Sequence, residues 1–358
     1  MQNHSVKIIV AGTIAVLFVV VAYTMFQSKF QSNTFPANEK NDPPTGQILF
    51  VAQEQGTYRN YPHVYDVVTE EFVPVQNDSA TYYIQTLADE TAASLQAPYF
   101  EREGDDLYYP YEGDPLITYG EKKIELQDIV NPSQLSWSSE ADRFVFHALS
   151  RKWTNSTEAD VYYAPENYQD SNNWAIYSAD PASGEVIELG SGHSPVWSPD
   201  GRYILFLTVN GVSLYEVSTG MSWSMAELPE RLPTPASSLA LSSDGDELYV
   251  LTTAYAISPD KLFVLDVESL SAADLSNTVF SVKKNMDLPE GNHHDFTLSP
   301  DNNYAAVTTY GDGYFELHSL NLQTKELSKR TLFRWSGIEK YYHYPYVNWT
   351  SLSPKKFE

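Results

Sequence analysis

The chemistry-bearing side chains with the most regular placement are histidines. His193 lies four residues before Trp197 and His294 four before Leu298, so the two hold equivalent places in a recurring pattern. His343 stands six residues before Trp349, and Asp295 adds a carboxylate next to His294. Imidazoles and a carboxylate gathered around one axis can hold a divalent metal. The same groups can equally tie loops to strands by hydrogen bonds. A divalent metal is the one cofactor this pattern admits, and nothing else in the chain calls for a cofactor.

Other reactive patterns are missing. The chain has no cysteine, which removes thiolate metal sites, cysteine nucleophiles and disulfides together. No Gly-x-Ser-x-Gly elbow occurs, so a serine hydrolase domain has no nucleophile. A sialidase Asp-box would read Ser-x-Asp-x-Gly, whereas here Gly directly follows Asp. Glu101, Glu103, Asp105 and Asp106 lack the regular spacing of a calcium loop and read as a solvated turn.

What positions the histidines is a repeat. Its clearest copy is Trp197-Ser198-Pro199-Asp200-Gly201-Arg202-Tyr203, followed by the apolar run Ile204-Leu205-Phe206. Leu298-Ser299-Pro300-Asp301 and Leu241-Ser242-Ser243-Asp244-Gly245 follow the same template, Trp137-Ser138-Ser139-Glu140 is a fourth copy, and the stretch from Phe100 reads as a degraded fifth. In each, an apolar residue ends a buried strand. A tight turn follows in which Pro presets φ, Asp caps the backbone and Gly takes positive φ, and then an apolar strand returns. Ser198, Pro199, Asp200, Gly201, Asp244, Gly245, Pro300 and Asp301 are therefore read as structural turn residues.

Each hairpin is followed by two further strand-like runs, and four antiparallel strands per unit make a propeller blade. The anchors Phe100, Trp137, Trp197, Leu241, Leu298 and Trp349 are separated by 37, 60, 44, 57 and 51 residues, which suits blades carrying loop insertions. The largest insertion, residues 150–173, belongs to the third unit. Residues 48–75 supply three strand-like runs without a first strand, and residues 346–350 supply one strand and no more. Joined, the two ends complete a ring of six blades and remove the open sheet edges.

The Ser-Pro-Asp-Gly hairpins resemble the WD-like repeats of the TolB-type β-propeller family, also found in tricorn protease and in the N-terminal domain of dipeptidyl peptidase IV. The resemblance covers residues 46–358. It implies a six-bladed all-β disc with a central tunnel and a usual role in protein–protein contact, and it fixes no single activity. In such a disc, His193 and His294 would converge on the tunnel mouth.

Residues 8–26 are a 19-residue run without charge, long enough as a helix to span about 28 Å. They are expected to form an uncleaved transmembrane signal anchor after a cytoplasmic stub of residues 1–7. The polar segment 27–45, with Pro43-Pro44, reads as a linker. Of the net charge of −25, residues 1–45 contribute +1 (Lys7, Lys29 and Lys40 against Glu39 and Asp42), which leaves −26 for residues 46–358. Such a domain repels nucleic acid and anionic lipid. Acidic residues hinder translocation little, so the domain is placed outside the cytoplasm, periplasmic or extracellular.

The aromatic content, 26 Tyr, 16 Phe and 7 Trp, favours strands. Runs such as Tyr108-Tyr109-Pro110-Tyr111 and 341–346 suit packing between blades, and exposed Tyr clusters also make recognition surfaces. The expected function is a membrane-anchored propeller that binds a protein or peptide of the cell envelope, or acts as a scaffold, without catalysis. The alternative is a metal-dependent carbohydrate-active lyase or hydrolase using the tunnel-mouth histidines.

Overall fold

The computed structural model describes residues 45–53, 60–74, 81–86, 92–96, 114–149, 173–209, 211–227, 238–252, 260–267, 280–288, 292–311, 314–324, 327–336 and 347–350. These residues form six four-stranded antiparallel sheets. The first contains β1 (Gln47–Gln53), β2 (Asn60–Asp66) and β3 (Glu71–Pro74), and the second β4 (Thr81–Thr86), β5 (Ala92–Gln96), β6 (Leu116–Tyr119) and β7 (Lys122–Glu125). The third holds β8 (Val130–Ser138), β9 (Arg143–Leu149), β10 (Trp174–Ala179) and β11 (Val186–Ser191). The fourth comprises β12 (His193–Trp197), β13 (Tyr203–Thr208), β14 (Gly211–Glu216) and β15 (Met221–Glu227). In the fifth are β16 (Ser238–Leu241), β17 (Glu247–Thr252), β18 (Lys261–Asp266) and β19 (Ser281–Asp287). The sixth has β20 (Asn292–Leu298), β21 (Tyr304–Gly311), β22 (Tyr314–Asn321) and β23 (Leu327–Ser336). The last strand, β24 (Val347–Thr350), returns to the first sheet and pairs with β1, Gln47 opposite Thr350 and Phe50 opposite Val347. The first and last described strands thus share one sheet.

Each sheet's first strand touches the first strand of the next, in the cyclic order β24, β4, β8, β12, β16, β20 and back to β24. Apolar side chains fill the seams between sheets. In β9, Phe144 and Phe146 face the second sheet with Leu95 and Ile117, while Val145 faces the fourth with Ile204 and Phe206. Side chains alternate across a strand, so a strand buried on both faces reads as a continuous apolar run. That is why 144–149 and 203–207 show no polar alternation. Trp137 lies 4.4 Å from Phe144 between ring centroids, with Tyr119 beside both.

The repeat turns share one internal wiring. Ser198 Oγ donates to Asp200 Oδ1 and accepts from the Tyr203 N–H, while the Arg202 N–H donates to the same carboxylate. Ser242 with Asp244 and Ser299 with Asp301 reproduce it. Successive turns also interlock. Gly201, at φ 67°, leaves no room for a Cβ, which would fall 2.9 Å from the Ala141 backbone nitrogen in the preceding turn. Gly245 lies against Pro199, and Asn302 exchanges two hydrogen bonds with Ser243. These turns form a belt on one face of the ring, called here the turn face. The opposite face, where the first strands of the third to sixth sheets begin, is the bulge face.

One expectation is corrected. The hairpin of the second sheet does not start from Phe100, because β4 pairs with β5, Thr86 opposite Ala92. The spacing from Thr86 to Trp137 is then 51 residues, not the 37 counted from Phe100. The sequence between these strands, Leu87-Ala88-Asp89-Glu90-Thr91, has neither Pro nor Gly and so carries no turn signature. The 150–172 insertion joins β9 to β10; it, the aromatic runs at 108–111 and 341–346, and the acidic run 101–106 lie outside the described residues. So do residues 8–26. No helix among the described residues is long and apolar enough to cross a membrane.

Candidate functional site

Three first strands carry a break in pairing at the same height. The register shifts between Ser133 and Ser136 in β8, between His193 and Val196 in β12, and between His293 and Phe296 in β20. A bulge adds one residue against the partner strand and re-aims the side chains around it. Gln134 and Ser194 accordingly sit at φ 51° and 53°, a conformation few non-glycine residues adopt. Counting three residues back from Trp137, Trp197, Leu241 and Leu298 gives Gln134, Ser194, Ser238 and Asp295. These four occupy one level on four consecutive first strands.

Around Ser194 the bulge builds a buried imidazole pair. Gly192, whose Cβ would lie 2.7 Å from the Leu207 carbonyl oxygen, lets β12 start hard against β13. The Ser194 N–H donates to His147 Nδ1 at 3.2 Å. A nitrogen that accepts carries no proton, so His147 holds its hydrogen on Nε2. His193 is fully buried, its Nδ1 lies 3.1 Å from Ser194 Oγ, and its Nε2 is buried without a partner. The two rings are 6.2 Å apart between centroids, and Trp174 meets His147 edge-on at 4.9 Å. Burial disfavours the charged form of both. His193 is held down to about 4, and His147 well below the usual imidazole range, with repulsion from His193 adding to burial.

Asp295 is the buried carboxylate of the set. Burial pushes its pKa up to about 7, opposed by the Val347 N–H that donates to Oδ2 at 3.0 Å. Its own backbone is clamped by Thr308, whose Oγ1 accepts from the Asp295 N–H and donates to the Asp295 carbonyl. Ser238 Oγ stands near enough to help hold the Asp295 acidity, yet it makes no hydrogen bond itself. Two residues earlier on β20, His293 donates both its backbone N–H and its Nδ1–H to Asp260 Oδ2, at 3.0 and 2.7 Å. This dyad links the fifth and sixth sheets.

Of the residues singled out by spacing, His193 and Asp295 are both buried on the bulge face, on β12 and β20 with β16 between them. His294 lies on β20, and its side chain is outside what the structure describes; His343 lies outside the described residues altogether. Among the described residues, no three His, Asp or Glu side chains are grouped to hold a metal ion. The turn residues Ser198, Asp200, Asp244 and Asp301 are engaged within their own turns, Pro199 and Gly201 pack against the neighbouring turns, and Gly245 and Pro300 belong to the same belt.

Sequence reasoning missed His147, Ser238, Asp260 and His293. His147 sits inside an apolar run and reads as filler of a buried strand, and the Asp260–His293 pair spans 33 residues without a motif. The repeat held a usable signal: the position three before each anchor is polar in all four units.

No family model matches the chain, and no curated protein matches it. Solved structures do. The chain is similar to TolB from Acinetobacter baumannii at 14% identity, with a TM-score of 0.51, covering 85% of this chain and 66% of that one. It is similar to the β-propeller domain of Myceliophteria thermophila Cps50 (Swd1) at 13% identity, TM-score 0.50, covering 85% and 90%. A chain of a nidogen–laminin complex matches at 10% identity, TM-score 0.53, covering 86% of this chain and all of that one. The chain thus spans just under two thirds of the TolB structure's length. At these identities the likeness is one of fold, an all-β architecture with β-propellers as its neighbours.

Proposed function

We propose that the chain is a membrane-tethered, six-bladed propeller that docks a protein or peptide outside the cytoplasm through its bulge face, without catalysis. The six sheets and the cyclic contact of their first strands support the blade count. The uncharged run 8–26, the polar linker after it and the acidity confined to residues 46–358 support the tether and its orientation. Among the fold neighbours is a β-propeller domain, and another comes from a complex of nidogen with laminin, which fits a docking or scaffold role.

The observation that carries the choice of face is the state of its polar groups. In the turn belt, serine hydroxyls and aspartate carboxylates are consumed by their own turns. Six buried polar side-chain atoms among the described residues have no hydrogen-bond partner. Gln47 Oε1, Arg143 Nη2 and Trp197 Nε1 lie at the turn ends of scattered strands, whereas Gln134 Oε1, His193 Nε2 and Ser238 Oγ share the bulge end of three consecutive first strands, which favours that face. Groups left in that state are costly unless something else satisfies them.

A photo-crosslinking amino acid tests the reading. Placed in the full chain at the exposed Ser191 or Asp287 on the bulge face, it is expected to trap one discrete partner; placed at Pro199 or Pro300 in the turn belt, it is expected to trap none. Equal capture from both faces, or capture from the turn belt alone, contradicts the reading.

A further inference from the structure

Gln134, Ser194, Ser238 and Asp295 stand at one level on four consecutive first strands, and each of those strands touches the next. Their functional groups form an acceptor set. Gln134 Oε1 is a carbonyl oxygen with no donor, Ser238 Oγ has free lone pairs, and His193 Nε2 accepts in the tautomer that donates its Nδ1–H to Ser194 Oγ. Asp295 contributes a carboxylate that the Val347 and Phe296 N–H groups and the Ser238 hydroxyl help to hold, and it joins none of the ion pairs among the described residues. Such a set is weighted towards acceptors and holds no positive charge.

Among the described residues no three His, Asp or Glu side chains are grouped for a metal ion, and the acceptors are single atoms spread over neighbouring strands. Separate acceptors at separate angles suit a ligand with several N–H donors and one delocalised or compact charge. The −26 carried by residues 46–358 draws cations towards the domain in the same sense.

Building on the docking reading above, we propose that the bulge ends of the first strands form a socket for the cationic end of a basic side chain, an ammonium or a guanidinium, presented by the docked protein. Asp295 supplies the countercharge, and Ser238 and His193, on the two first strands before it, receive the remaining N–H groups, while Gln134 lies across the ring from Asp295. Ser194 acts as a positioning residue: its left-handed backbone aims its N–H at His147 and fixes the orientation of the buried imidazole pair.

The probes are methylguanidinium and methylammonium chloride, titrated into the detergent-solubilised full chain and followed by saturation transfer to their methyl protons. Saturable binding is expected with a dissociation constant on the order of 1 mM, weakened about tenfold in Asp295→Asn, where the Val347 N–H keeps an acceptor but the charge is gone. Ser238→Ala, a small change that leaves the backbone alone, is expected to weaken binding by a smaller factor and guards against misfolding of the first variant. Calcium chloride is expected not to compete. Absence of saturable transfer, transfer unchanged in both variants, or displacement by calcium overturns the socket. A partner that crosslinks at Ser191 and Asp287 equally in wild type and Asp295→Asn, without competition from methylguanidinium, leaves the docking face standing and removes the socket alone.

Discussion

The Val347 backbone N–H donates to Oδ2 of Asp295 at 3.0 Å, a bond between the strand that closes the first sheet and the first strand of the sixth. The carboxylate is buried, so the closing seam of the ring rests on an acid whose charge is disfavoured where it stands. Beside it, Ile48, Phe50 and Val347 of the first sheet pack against Tyr304, Ala306 and Leu317 of the sixth, so the acid sits next to an apolar seam.

The pH dependence of stability follows from that placement. Asp295 is raised from 3.8 to about 7 in the folded chain. A raised folded value means that its contribution is fully present below the unfolded pKa and is lost as pH rises through the folded one. Wild type is therefore expected to lose up to about 4 kcal/mol of stability between pH 4 and 8, of which about 3 kcal/mol is lost between pH 5 and 8. Asp295→Asn removes that slope. Urea midpoints at pH 5 and pH 8 for both proteins check it, and parallel pH profiles would count against the assignment.

The buried histidines act in the opposite sense. Burial lowers both His147 and His193, the latter to about 4, so their neutral forms support the fold above the unfolded pKa of 6.5 and the support is lost as pH falls towards 4. His147→Leu is expected to flatten the acid limb, since Leu207 occupies the matching position ten residues after Trp197. It should also cost about 1 kcal/mol near neutral pH through the Ser194 N–H left without its acceptor. Thermal melts from pH 4 to 7.5 measure both effects.

The interlocked turns predict a contrast between two glycines of similar backbone. Gly201→Ala puts a methyl 2.9 Å from the Ala141 nitrogen, while a Cβ at Gly184, φ 74°, meets nothing within 4 Å. Gly184→Ala should cost about 1 kcal/mol of backbone strain and Gly201→Ala about 2 kcal/mol or more. Equal shifts in Tm would show that the turn belt does not hold the sheets in register.

Deleting residues 347–358 removes β24 and leaves β1 with an unpaired edge on the side towards the ring's centre. The shortened chain is expected to lose its cooperative melt and to associate through that edge, as light scattering would reveal. A soluble monomer with an unchanged Tm would mean that closure contributes little.

Much of the fold was legible because its punctuation is local. Ser-Pro-Asp-Gly fixes a turn through the φ of Pro and Gly and the capping Asp, and three such turns share one hydrogen-bond pattern. The pairing of the first and last described strands in one sheet was legible because each stretch lacked the strands the other supplied. The second sheet was misplaced because the sequence between β4 and β5 lacks Pro and Gly, and the nearest Gly-Asp stretch, after Phe100, took its place. The site was less legible. Repeat spacing singled out His193 and His294, and Asp295 entered only as the carboxylate next to His294, whereas Ser194 with His147, 47 residues apart, depends on the register of a bulge, which no local residue announces.

The central claim, that a protein docks on the bulge face, is tested most directly by hydrogen exchange of the full chain with and without its crosslinked partner. The account predicts new protection at residues 191–194 and 287–293 and none at 198–201, 242–245 or 299–302. Protection confined to the turn belt, or no protection in either, would contradict it.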